Sequence, residues 1–337
     1  MEVSSSRYRL ISIAVLTMIA FLMAAQMAFA KSYLFYLEAQ GVAGYSTEQE
    51  KPIYYSMSQE DVMQKPGLGF DYLQRLSGET GDYGALAIQA RLGFNATGEQ
   101  AVQPQLYNAY FKYKARVADL WVGHNRPALG ISSYLDSHAL LLPTFGMLGV
   151  AGYDRDWGIG SYRDFNWGNL ALSATTASGF PVYFKGNYML AGRISRGVLT
   201  QDNYNVGVSA AYGKNLETVG YELIDPQPSE MFLAGADLAY LWNRLENRLD
   251  LFAGKKLGHA AYALMWRIGV NFLEEDRLKI EVQPVYWEIG NDWNYQLYAG
   301  ITFKATSDLT PRVMYVYDRQ SNDQRVLLQL YWYHLLF

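Results

Sequence analysis

Apolar and polar residues alternate along this chain in stretches longer than an ordinary soluble sheet uses. In 83–95 one face carries Leu86, Ile88, Ala90, Leu92 and Phe94, and the other Ala85, Ala87, Gln89, Arg91 and Gly93. In 262–272 Tyr262, Leu264, Trp266, Ile268, Val270 and Phe272 oppose Ala263, Met265, Arg267, Gly269 and Asn271. In 294–304 Tyr295, Leu297, Ala299, Ile301 and Phe303 oppose Gln296, Tyr298, Gly300, Thr302 and Lys304. A period of two sustained over about ten residues fits a strand tilted across a bilayer. An amphipathic helix would need apolar residues three and four apart, which these segments lack.

The same pattern predicts strands at 31–44, 68–77, 83–95, 105–115, 117–126, 153–163, 167–177, 186–196, 203–213, 230–241, 246–256, 259–272, 277–290, 292–304, 309–318 and 325–337. The piece 216–225 alternates poorly and runs into Asp225-Pro226-Gln227-Pro228, so it is assigned to a loop. An even strand number is also what a single-chain bacterial barrel takes. The expected fold is all-β: a transmembrane antiparallel barrel of about 16 strands, within a range of 14–18. Short links then share one end, at 77–82, 164–167, 273–276 and 305–308. Longer ones, at 45–67, 127–152 and 214–229, share the other. Two links at that second end, Leu257-Gly258 and Gly290-Asn291, are very short.

Composition narrows the picture. The 337 residues include 28 Tyr, and Phe, Trp and Tyr together make 15%, a level suited to aromatic girdles at two interfaces. There is no Cys, which removes disulfides and thiolate chemistry. A net charge of −4 is no nucleic-acid profile. Arg7 and Arg9, an apolar run from Leu10 to Met23, and Ala28-Phe29-Ala30 before Lys31 read as a signal peptide over 1–30. The run is short against the ~20 residues a spanning helix needs. The barrel then occupies 31–337, with no plug domain expected ahead of it.

Two features resemble known families. The chain ends in Tyr331-Trp332-Tyr333-His334-Leu335-Leu336-Phe337, and a closing strand finishing on Phe resembles that of bacterial outer-membrane barrels. The resemblance implies that Phe337 is part of a signal to the barrel-assembly machinery. Ala118-Asp119-Leu120-Trp121-Val122-Gly123-His124-Asn125-Arg126-Pro127, then Arg155-Asp156-Trp157-Gly158-Ile159-Gly160 and Gly168-Asn169-Leu170-Ala171-Leu172, resemble the phosphate-selective porin group and its relatives. That resemblance spans about a third of the chain. It implies an outer-membrane porin of a Gram-negative bacterium, in contact with lipid and lipopolysaccharide and assembled as a homotrimer. It also implies that the long third loop, about 127–152, folds inward. The basic residues here are scattered rather than stacked in an arginine ladder, so the resemblance points to a 16-stranded porin more than to phosphate.

Alternation places Arg91, Lys112, Lys114, Arg193, Arg267, Lys279, Lys304 and Arg312 on the inner face, against Asp237, Asp250 and Glu281. Such an excess predicts an anion-leaning lumen. The third loop adds Asp136 and His138 as constriction candidates. No catalytic or metal site is expected, and no cofactor. Ser132, Ser133, Ser137 and His138 lie too close on one loop for a triad, and Asp136, His138, Asp154 and Asp156 match no ligand spacing. Two functions stay open: a passive channel for small hydrophilic solutes or ions, or a sheath around a partner such as a periplasmic electron carrier or an exported polymer. The position of the third loop discriminates between them.

Overall fold

The computed structural model describes residues 33–56, 65–79, 81–95, 101–134 and 141–337. The segment read as a signal peptide, together with Asp136 and His138, lies outside the described residues.

Sixteen strands run in chain order: β1 Tyr33–Ser46, β2 Gly67–Gly78, β3 Gly81–Phe94, β4 Val102–Lys114, β5 Asp119–Asn125, β6 Asp156–Phe165, β7 Gly168–Thr175 and β8 Tyr188–Arg196. They continue as β9 Tyr204–Val219, β10 Glu222–Trp242, β11 Leu245–Lys256, β12 His259–Phe272, β13 Leu278–Ile289, β14 Asp292–Phe303, β15 Leu309–Asp318 and β16 Asp323–Leu335. Each is hydrogen-bonded to its neighbours in sequence, and β16 returns to β1 in antiparallel register from Tyr36↔Leu335 to Ser46↔Arg325. The barrel is closed, so no edge is left unpaired. A three-residue strand, Lys51–Ile53, pairs with the end of β1 and stays outside this count.

The pleat turns the usual core inside out. Leu92, Ile159, Leu190, Val208, Leu264, Val313 and Leu328 face outward and are exposed. Aromatic residues mark both ends of this belt: Tyr45, Tyr188, Tyr212, Tyr262 and Trp293 at the end of the longer loops, Tyr83, Tyr113, Trp167, Tyr240 and Trp242 at the other. We call these the loop end and the turn end. At the loop end Leu257 (φ 51°) and Gly258 (φ 78°) make a two-residue hairpin turn of the kind that matches strand twist.

The structure corrects the sequence reading at 214–229. This segment is no loop but an extension of the β9–β10 hairpin, turning at Gly220-Tyr221 with register shifts around Asn215, Glu217 and Thr218. β11 pairs with β10 only from Phe232 onward, so the hairpin rises past its neighbour and Pro226 and Pro228 meet no second ladder. The poor alternation of 216–225 has the same cause, since residues above the rim need no apolar outer face.

A bulge in β4 sets the inward parity. Gln89 pairs with Asn108 but Ala90 with Leu106, so Tyr107 is the extra residue. Gln103 and Gln105 share the inner face before it, and Asn108, Tyr110, Lys112 and Lys114 after it.

Candidate channel and constriction

The described parts of the third loop, 126–134 and 141–155, turn into the barrel. Apolar content drives the entry: Leu129, Leu141, Leu142, Phe145, Val150 and Ala151 are buried with inward Met189, Ala191, Ala211, Leu233, Phe252, Ala261, Ala263, Met265 and Val285. Small inner residues on β8, β9 and β12 leave the room it fills. Backbone polar groups that enter such a place must be bonded, and inward side chains supply the partners. The Ala128 N–H donates to Ser173 Oγ at 3.0 Å, Gly130 to Ser209 Oγ at 3.2 Å, and Ile131 to Asp250 Oδ2 at 3.4 Å. Gln283 Nε2 donates to the Pro143 carbonyl at 2.9 Å, and Arg267 Nη2 to the Leu142 carbonyl at 3.2 Å. Arg267 and Gln283 sit near the middle of β12 and β13, so the loop reaches about halfway down the lumen. Phe145 meets Phe252 edge-on at 5.8 Å. Gly130 (φ 63°) permits the closest approach, since a Cβ there would lie 2.8 Å from both Asp250 and Phe252.

A different surface lines β15, β16 and β1–β4. Arg312 Nη1 donates to Gln329 Oε1 at 2.6 Å, Gln329 Nε2 to Gln40 Oε1 at 3.0 Å, and Gln89 Nε2 to Glu38 Oε2 at 3.4 Å. Asn108 Nδ2 donates onward to Gln89 Oε1 at 2.8 Å. Arg91 Nη2 donates to the Lys65 carbonyl at 2.5 Å. The guanidinium of Arg312 also lies 5.7 Å from the Tyr331 ring centre. This network is polar across several strands and touches the loop where Arg155 Nε donates to Asn108 Oδ1 at 2.8 Å.

Most of the remaining sequence-predicted charges are matched locally. Arg193 forms a two-point pair with Asp237, at 2.9 and 2.5 Å, and also donates to Asn169 and Asn205. Lys279 lies 2.6 Å from Glu246 and 2.9 Å from Glu281, and Arg248 also pairs with Glu246. Lys112 lies 3.2 Å from Asp119. Lys114 is exposed at the turn end of β4. Lys304 follows the last residue of β14 and is exposed on the turn-end rim, its N–H bonded to the Arg277 carbonyl. Strand ends are where alternation stops being informative, because no opposing face is selected there.

Asp154 pairs with Arg155, and Asp156 accepts from the N–H groups of Ala177, Ser178 and Gly179 and from Thr176 Oγ1, which fixes the turn after β7. Ser132 and Ser133 donate to the Leu129 and Gly130 carbonyls. Phe337 continues the β1 ladder, its carbonyl accepting from the Phe35 N–H at 3.0 Å. Sequence reasoning missed Ser173, Ser209 and Gln283 as loop anchors; neutral residues on an inner face carry no signal beyond their parity.

No protein-family model and no curated protein matches the chain. Solved structures do. OmpT of Vibrio cholerae lacking loop L8, an outer membrane protein, is 11% identical over 90% of this chain and 99% of that one, with a TM-score of 0.62. Salmonella typhi OmpF in complex with daunomycin is 13% identical, covering 90% and 97%, also at 0.62. The anion-selective porin of Comamonas acidovorans is 10% identical, covering 90% and 99%, again at 0.62. At such identities the likeness is one of fold. The barrel is that of bacterial outer-membrane porins.

Proposed function

We propose that this protein is an outer-membrane porin of a Gram-negative bacterium, a water-filled channel through which small hydrophilic solutes and ions diffuse. The observation that carries the proposal is the third loop bonded to the inner wall of a closed 16-strand barrel. Barrels of this size enclose an aqueous lumen, and an inward loop narrows it to the scale of small solutes. The apolar outer belt between two aromatic girdles supports insertion in lipid, with the turn end periplasmic and the loop end facing lipopolysaccharide. A homotrimer is part of the proposal, supported by fold neighbours that include a trimer form of OmpT. So is recognition of the last strand, Phe337 included, by the barrel-assembly machinery. Among the described residues, Ser132, Ser133 and Asp154 have structural partners, which supports a non-enzymatic role.

The route we propose follows the β15–β4 wall, with Arg91 and Arg312 as its basic pore-lining residues. Lys112, Arg193 and Lys279 each have a carboxylate beside them, which supports a weak anion lean rather than a strong one. A sheath around a partner would need the space that the loop takes up.

Planar-bilayer recording of the refolded protein under a salt gradient tests this. Discrete conductance steps with a reversal potential slightly on the anion side are expected. No steps, or a very large unselective conductance, would overturn the reading.

A further inference from the structure

A cavity of about 420 Å³ opens at the loop end, between the inward loop, the tip of the β9–β10 hairpin and the ends of β11, β14 and β15. Met147, Leu148, Phe180 and Leu257 give it an apolar surface. Most charged groups around it are engaged. Asp318 accepts from Asn294, Gln296 and the Gln320 N–H. Arg325 is paired with Asp323, and Arg155 with Asp154.

Two opposite charges differ from these. Lys256, the last residue of β11, donates to the Gly149 carbonyl and keeps two further N–H donors. Glu217, on the bulged tip of β9, accepts no hydrogen bond among the described residues. Its charge reaches Lys256, yet no ion pair within 4.0 Å joins them. Both line the same cavity, with the apolar surface beside them.

We infer that this cavity is a binding subsite for zwitterionic solutes that carry an apolar side chain, the chemistry of a free aromatic or aliphatic α-amino acid. The solute carboxylate goes to Lys256 Nζ, its ammonium to Glu217, and its side chain over Met147, Leu148 and Phe180. A simple anion would satisfy Lys256 while bringing a like charge towards Glu217, and a simple cation would do the converse. A zwitterion engages both through charge-assisted hydrogen bonds, and burying its side chain adds to the gain. The inference rests on the diffusion-channel reading, because it sets the subsite on the solute's way in.

Three probes share a benzene ring and differ in charge: phenylalanine, phenylacetate and phenethylamine. Isothermal titration of the detergent-solubilised protein is expected to detect phenylalanine and to find the other two at least tenfold weaker. Lys256→Gln and Glu217→Gln are each expected to weaken phenylalanine about tenfold, one charge-assisted contact's worth. Glu217→Gln should also bring phenylacetate towards phenylalanine, an effect that mere damage to the hairpin would not give. Equal binding of the three probes, no binding of any, or unchanged affinity in both variants would overturn the inference. Bilayer recording separates the two readings. Selective titration without conductance would sink the channel and leave the subsite standing; conductance without selective titration would do the reverse.

Discussion

The lumen has two walls built on opposite plans. Under the loop, on β7–β13, the inner face behaves like the interior of a soluble protein. Alanine, methionine and leucine pack against loop side chains, and each charge present is bonded to a partner at short range. On β15, β16 and β1–β4 Gln, Arg, Glu and Asn are joined side chain to side chain, while Met314, Val316 and Leu327, nearer the loop end, belong to the same apolar cluster as the loop. One barrel therefore holds a mainly apolar side that fixes the loop and a side whose polar groups bond one another. The apolar side explains how an inward loop stays put without a disulfide.

The comparison breaks first at Arg193. Replacing it by Ala leaves Asp237 buried beside Asp250, and we expect a loss of about 3–5 kcal/mol in urea unfolding. The double replacement Arg193→Met with Asp237→Leu should recover most of it, since an apolar pair of similar volume removes both charges. Arg312→Gln, on the other wall, should cost less, about 1 kcal/mol, since it removes hydrogen bonds without stranding a buried carboxylate. Equal losses at Arg193 and Arg312 would mean that the two walls do not differ. Next is Phe145→Ala, expected to cost about 3 kcal/mol by cavity formation and to raise single-channel conductance as the loop loosens. Unchanged conductance would place the loop off the limiting section.

A smaller effect separates route from anchor. Arg91→Gln combined with Arg312→Gln should move the reversal potential towards the cation side at a smaller stability cost than Arg193→Ala, whereas Lys279→Gln should leave the potential nearly unmoved. The smallest lies outside both walls. In the turn before β15, His334 Nδ1 lies 2.8 Å from Asp308 Oδ2, and this hydrogen bond together with that from Ser307 holds the Asp308 carboxyl below its ordinary range. A carboxyl depressed in the folded state lends stability above its unfolded pKa and loses it as pH falls through the folded one. The acid limb of an unfolding-versus-pH curve should therefore flatten slightly in Asp308→Asn. No change would mean that the exposed pair contributes nothing.

Much of this was legible in the sequence, for a physical reason. Lipid on one side and water or loop on the other select each strand residue by face, so the predicted segments at 83–95, 259–272 and 309–318 correspond to β3, β12 and β15. Legibility ended where that selection ends. The hairpin above the rim, with Pro226 and Pro228, loses its alternation and reads as a loop. Parity places Arg193 and Asp237 on the inner face, but their pairing depends on register across two neighbouring strands, which one chain's pattern does not encode. Apolar Leu141, Leu142 and Phe145 hinted at the inward loop, while Ser173, Ser209 and Gln283 became anchors only once the loop's path was known.

The seam between β16 and β1 has a kinetic consequence. Gln329 reaches Gln40 across 289 residues of chain. Every other strand pair is a neighbour in sequence and can form as a growing sheet, but this one must bring together segments a whole chain apart, at the largest loop-closure entropy in the molecule. Until it does, two strand edges are open to other chains. Joining first to last is thus the committing step of folding, and the point at which an unassisted chain is most exposed to aggregation.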